Sequence, residues 1–335
     1  MNKKIILNIE SVYTANAFQI GSETFVGGGS ETKPDVQLYN LNTGVSSFVD
    51  GCPGGVMSFV PVPGNPDLFF SIMGLFPPFV GLEAGVFMHN RAGGKWVTTK
   101  AMALPFAHRC DILHRNGKNY LIAVSCSKFK ENPTDWSQKA EIYVIRLDEK
   151  TGMPQTPELI DNSILRNHGM LRTTVNGVET LCVSGAEGIF YLDQLPGDKW
   201  VIKPLFNKEV SEFGFIDLDG DGQDELVTIE PFHGETLSVY KKSGSDWELK
   251  FSDTLSFGHG LSCGTFNKEP VIVVGNRRGS FTLDMFKATN LANGKFTREV
   301  LEEEAGPTQT QVFRANNIDY IMSSNQKKNE VALYW

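Results

Sequence analysis

No apolar run in this 335-residue chain approaches the roughly 20 residues that a membrane-spanning helix needs. Positive charge is also in deficit: 31 Lys and Arg stand against 39 Asp and Glu, for a net charge of −8. That balance argues against nucleic acid or an anionic membrane as a partner, because neither surface attracts an acidic protein. Cysteine is scarce. Cys52, Cys110, Cys126, Cys182 and Cys263 are odd in number, far apart and form no Cys-x-x-Cys pair. Four of them lie in apolar, strand-like stretches, where a cysteine serves as a small core filler. The N-terminal apolar stretch, Ile5 to Ile9, is interrupted at Asn8 and stops at Glu10, too short for a secretory signal. With free thiols and no leader, the expected compartment is the reducing cytoplasm.

Long helical patterns are missing as well, whereas 33 glycines and 16 prolines supply many turns. Apolar residues make up 41% of the chain, enough to bury a sizeable core. What is present is a repeat. One unit starts at His168, turns at Asn176-Gly177, runs through Thr180 to Ser184, and closes with Ile189 to Leu192. Asn-Gly between two apolar runs marks a tight hairpin, because both central residues of that turn need positive φ. Units of the same design start near residues 14, 54, 108, 168, 213, 259 and 308. Their spacing, between 40 and 60 residues, is that of four-stranded antiparallel blades. The expected fold is therefore all-β, a seven-bladed β-propeller formed as one domain over residues 1–335. Lys4 to Ile9 has no unit of its own, so it is expected to close the last blade.

The register of the repeat sorts the polar residues. Starts of first strands and loops after second strands share one face of such a disc. The inner ring then holds His108, His168 and His259, with Thr308 or Gln309 at the matching place. The outer ring holds Lys128, Glu187, His233, Arg278 and Gln326. Of six histidines, three occupy one register and His233 a loop on the same side. Three imidazoles on an axis suit an open site for a divalent transition metal such as zinc or manganese. His233, left over from ligation, is the expected general base, with Glu187, Arg278 and Lys128 as candidate acids or electrostatic partners. His114 and His89 are expected to be plain surface residues.

A second motif is Asp217-Leu218-Asp219-Gly220-Asp221-Gly222-Gln223-Asp224-Glu225. Side chains of Asp217, Asp219, Asp221 and Glu225, with the Gln223 carbonyl, have the spacing to wrap calcium or magnesium between two strands.

Phe213 to Tyr240 is similar to the FG-GAP or VCBS repeat of propellers. Together with His168-Gly169, His259-Gly260 and Glu230-Pro231-Phe232-His233-Gly234, it resembles the propeller domain of aldos-2-ulose dehydratase, also called 1,5-anhydro-D-fructose dehydratase. The resemblance implies a metal-dependent carbon–oxygen lyase that carries out β-elimination beside a carbonyl. Its substrate would be a small carbohydrate: a keto-sugar of the 1,5-anhydrofructose or 3-keto-glycoside kind, or a uronate. Two alternatives stand beside it. One is a non-catalytic carbohydrate- or protein-binding propeller, with Phe76, Phe79 and Pro77-Pro78 as a platform or lid. The other is a hydrolase using Glu187 and Glu230 as a carboxylate pair. A homo-oligomer is compatible with all three.

Overall fold

The computed structural model describes residues 1–76 and 81–335. Phe79, Pro77 and Pro78, expected to form a lid, lie outside the described residues. The described residues form strands almost throughout, with two single turns of 3-10 helix, Leu291–Asn293 and Gln326–Lys328. No helix is long and apolar enough to cross a membrane. Four hairpins form at the turns the sequence marks. Asn116-Gly117, Asn176-Gly177, Asn267-Lys268 and Asn316-Asn317 all have positive φ, from 50° to 75°. Asn and Gly tolerate this left-handed region at little cost.

The expectation of seven separate blades needs correction. Five sheets stand as four-stranded blades, and the eight strands from Val12 to Ala103 form one continuous sheet. The fusion comes from a short parallel pairing of two outer strands, Ser46–Asp50 and Lys95–Ala103, with Val49 opposite Trp96 and Asp50 opposite Val97. A repeat count registers units along the chain but is blind to hydrogen bonds between their outer edges. At the other end of the chain, Lys3–Asn8 pairs antiparallel with Glu330–Tyr334, Lys3 lying opposite Tyr334. The first strand is thus the outermost member of the sheet that carries the last three.

The first strands of successive units touch in order. Val12–Ile20 contacts Met57–Pro61, which contacts Ala107–Arg115, and so on to Pro307–Ala315, which returns to Val12–Ile20. Between neighbouring sheets the core is apolar, aliphatic and aromatic side chains mixed. Leu113, Ile122 and Val144 of one sheet pack against Leu181, Val183 and Trp200 of the next, all buried. Each such side chain contributes about 1.5–3 kcal/mol by leaving water. This packing fixes the sheets face to face and brings their inner ends together.

His89 is not a surface residue. It is wholly buried in Gly85–Ala92, stacks on Phe69 at 4.3 Å, and bonds to Ser71 Oγ at 2.8 Å and Thr98 Oγ1 at 3.0 Å. Two hydroxyls satisfy its ring nitrogens, which lets an imidazole sit in a core. His114 is exposed and bonds to Asn119. All five cysteines are free thiols.

Candidate functional site

One backbone device recurs at the starts of the inner strands. The register slips by one residue between Val12 and Thr14, Ala107 and Arg109, Gly258 and Gly260, and Pro307 and Gln309. The residues left over are Tyr13, His108, His259 and Thr308. Two positions ahead of each, the backbone enters the left-handed region: φ is 50° at Ser11, 57° at Phe106, 56° at Phe257 and 57° at Gly306. Arg166, two positions ahead of His168, has φ 52°. A bulge re-aims a side chain that regular pleating would alternate away. Here it points successive rings at one place.

Close backbone approach does the rest. A methyl group on Gly169 would lie 2.6 Å from Ser184 Oγ and 2.8 Å from the Ser211 carbonyl, so only glycine fits behind His168. His233 stands in the loop after Glu225–Glu230, at φ 49°. The next residue, Gly234, would put a Cβ 2.0 Å from the Glu230 carbonyl. The loop can fold this tightly only with glycine there, and that fold delivers His233.

The expected ligand set was His108, His168 and His259. The structure gathers His168, His233 and His259 instead, with one nitrogen of each within 4.8 Å of the others. His233 Nε2 lies 3.1 Å from His168 Nε2. The His108 ring stands against His168, 4.7 Å between centroids, and its buried Nδ1 has no hydrogen-bond partner. The remaining contacts fix tautomers. His168 Nδ1 lies 2.7 Å from Glu212 Oε1, an acceptor, so the proton sits on Nδ1 and the Nε2 lone pair faces the cluster. His259 Nδ1 donates to the Thr308 carbonyl at 2.7 Å, which leaves the lone pair on Nε2; there it accepts from the Tyr13 hydroxyl at 3.0 Å, a bond that a metal on this nitrogen would have to displace. An outer carboxylate and an outer carbonyl behind two imidazoles are the usual support of metal-bound histidines. Bonds of ~2.0–2.1 Å would set ligand nitrogens ~3.4 Å apart. The donor set therefore fits a transition metal, with the His168 and His233 nitrogens already close to that spacing.

Burial holds His108, His168, His233 and His259 well below the ordinary 6.5, and nearby cations push the same way, Arg109 on His168 and Arg277 on His259. Burial alone brings His89 down to about 3. The folded rings are neutral, ready to act as ligands. This has a consequence for stability. Below pH 6.5 the unfolded chain takes up protons that the folded chain refuses, so stability is full above that pH and falls as pH drops. Each buried ring adds a slope of up to about 1.4 kcal/mol per pH unit. For His89 the window runs from 6.5 down to about 3. The urea midpoint of metal-free protein should therefore be clearly lower at pH 5.5 than at pH 7.5. A flat profile would mean that the rings are open to solvent.

His108, His168 and His233 form one wall of a cavity of about 570 Å³, while His259 lies behind them and lines a separate cavity. Trp136 meets Phe232 edge-on at 4.8 Å, Phe232 stacks on His233 at 4.0 Å, and Phe257 lies 4.9 Å from His233. Tyr13 is wholly buried, and burial pushes its phenol up to about 12, so it stays protonated. Arg278, named from the sequence, lines this cavity; Lys128 and Glu187 do not. Lys128 faces Glu141 at 3.5 Å, and Glu187 accepts from the Leu165 amide. Glu230, the other half of the carboxylate pair, bonds to Thr228 and Tyr240 and lies outside the cavity lining. Gln326 sits behind Arg277, holding it through a 3.1 Å bond.

Phe76, named from the sequence as part of an aromatic platform, lines the cavity, whereas sequence reasoning missed Tyr13, Glu212, Arg109, Trp136 and Phe257. Tyr13 had a signal: it occupies the register of the inner histidines, and setting the first unit one residue earlier than 14 finds it. Glu212 carries none, since its role comes from a neighbouring strand.

In the acidic loop, Asp217, Asp219 and Glu225 have oxygens within 4.8 Å of one another. Lys241 Nζ reaches Asp219 at 2.7 Å, Asp221 at 2.8 Å and Glu225 at 2.9 Å. Asp217 accepts the amides of Gly220 and Gly222, and the Gln223 amide donates to Asp221. An ammonium thus already sits among these carboxylates, and a hard cation entering the loop would compete with it.

No protein-family model and no curated protein matches the chain. Solved structures do. The β-propeller domain of Cps50 (Swd1) from Myceliophteria thermophila is similar with a TM-score of 0.62 at 9% identity, over 99% of both chains. U3-55K is similar with a TM-score of 0.58 at 6% identity, over 99% of this chain and 97% of that one. A glucose dehydrogenase has a TM-score of 0.51 at 12% identity, over 100% and 99%. At such identities the likeness carries the fold alone, and the fold is an all-β propeller.

Proposed function

We propose that this propeller is a metal-dependent carbon–oxygen lyase acting by β-elimination beside the carbonyl of a small carbohydrate, a keto-sugar or a uronate. One observation carries the reading: three neutral imidazoles, His168, His233 and His259, cluster together, and the first two of them line an aromatic-walled cavity beside His108. His168, His233 and His259 would hold a divalent ion of the zinc or manganese kind. Such an ion, when bound, supplies Lewis-acid polarisation of a carbonyl. The chain itself supplies the proton chemistry. His108 and His233 exchange the roles that the sequence suggested. Neutral and beside the cluster, His108 is the base for the proton next to the carbonyl. No neighbour pins its Nδ1, so its proton can sit on either ring nitrogen. Tyr13, kept protonated, donates to the departing oxygen. Trp136, Phe232 and Phe257 exclude water and offer flat faces to a sugar ring. Calcium or magnesium in the acidic loop would act on stability alone, and would have to displace Lys241.

The same aromatic walls favour a second reading, a propeller that binds a carbohydrate without altering it. Metal analysis of purified protein, followed by a screen of keto-sugars and uronates for new ultraviolet absorbance from a conjugated product, separates the two. The lyase reading expects bound transition metal and absorbance that disappears with a chelator. Sugar binding without turnover, in protein free of metal, would replace it with the second.

A further inference from the structure

Two adjacent arginines line the cavity, and they are used differently. Arg277 is committed to the fold. It bonds Glu31 at 2.8 Å and Gln326 at 3.1 Å, and its guanidinium lies 4.9 Å from the Tyr13 ring centroid. Gln326 in turn bonds the second oxygen of Glu31 at 2.8 Å. Glu31 is the one carboxylate on the cavity wall among the described residues, and these two bonds consume it. Arg278 is exposed, and its guanidinium rests on Phe257, 4.7 Å from the ring centroid. Among the described residues no carboxylate pairs with it.

We infer that Arg278 is the recognition point for a carboxylate on the substrate, making the ligand of this cavity a sugar acid and not a neutral sugar. The inference rests on the proposed carbohydrate site but not on its chemistry. A planar guanidinium offers two parallel N–H bonds to one carboxylate. Phe257 holds the fork at the cavity rim and limits its rotamers, so less freedom is lost on binding. A single uncompensated cation balances a monoanion. A phosphate dianion would call for a second, and Arg277 is already neutralised. Phe257 also neighbours His233 at 4.9 Å, so an acid group on Arg278 leaves the adjoining sugar ring facing the histidine cluster.

Calorimetric titration with D-glucuronate, D-glucose and D-glucose 6-phosphate tests this, each in EDTA and again with added manganese. Wild-type protein should bind glucuronate at least about 10-fold more tightly than glucose in both conditions, as expected for one charge-assisted pair. Arg278→Gln should reduce that preference to less than about 3-fold, leaving glucose affinity and metal content unchanged, and Arg278→Lys should fall between the two. A preference that survives in Arg278→Gln overturns the assignment, as does one that vanishes in EDTA, which would put the carboxylate on the metal. Tighter binding of the phosphate, or no binding of any of the three, overturns it too. Should the protein carry no metal yet keep the Arg278-dependent preference, the lyase reading falls and this one stands.

Discussion

Replacing His168 by alanine is expected to remove both the bound metal and turnover. His168 is the centre of the cluster: its ring lies 4.8 Å from His233, 5.2 Å from His259 and 4.7 Å from His108. Catalytic zinc sites use three protein ligands with a position left open, so losing one of three leaves too few. His233→Ala and His259→Ala should behave alike, because each removes one of the three. His108→Asn should differ in kind, keeping the metal while slowing turnover by about 10²–10⁴-fold through loss of proton transfer. Metal content by mass spectrometry and turnover on the same samples decide the matter. If His168→Ala folds and retains its metal, the ligand assignment is wrong. If His108→Asn loses metal along with the others, His108 belongs among the ligands.

Glu212→Gln is expected to weaken metal binding by about 10–100-fold, although this residue would never touch the ion. Its Oε1 takes both the Arg109 guanidinium and His168 Nδ1, each at 2.7 Å. The neutral amide can still bond, but it no longer fixes the imidazole proton or strengthens the ring as a donor. It also leaves the largely buried Arg109 without its counter-charge, at a cost of about 3 kcal/mol. Stability and metal affinity can be separated by removing both charges. Arg109→Met with Glu212→Leu should recover part of the lost stability and none of the affinity. Recovery of both would show that Glu212 acts only through the fold.

Much of this was legible along the chain, for a physical reason. Hairpins need positive φ at two successive residues, and Asn-Gly at 116–117 and 176–177 announces it. Inner strand starts repeat, so His108, His168 and His259 could be placed in one ring without coordinates. The choice among the histidines was not legible. It depends on the tight loop at Gly234, which carries His233 past His108, and on bulges one residue long. Glu212 and Arg109 act across sheets distant in sequence, where no spacing rule reaches, whereas Tyr13 shares the register of the inner histidines. The acidic loop looked like a cation site because its carboxylate pattern is local. Lys241, which shares those carboxylates, lies 16 residues beyond Glu225 on another strand. His89 was misread because the two hydroxyls that make its burial tolerable come from neighbouring strands.

The parallel pairing of Ser46–Asp50 with Lys95–Ala103 has a consequence of its own. An outermost strand offers a row of unused amides and carbonyls, an invitation to any extended chain nearby. In this pair each strand occupies the other at Val49–Trp96 and Asp50–Val97, so two such invitations are withdrawn at once. Solvent hydrogen exchange would register this as slow amides on strands that, elsewhere on the rim, trade their protons quickly. It also ties the two units mechanically: a pull on one is felt by the other through main-chain bonds between their outer strands.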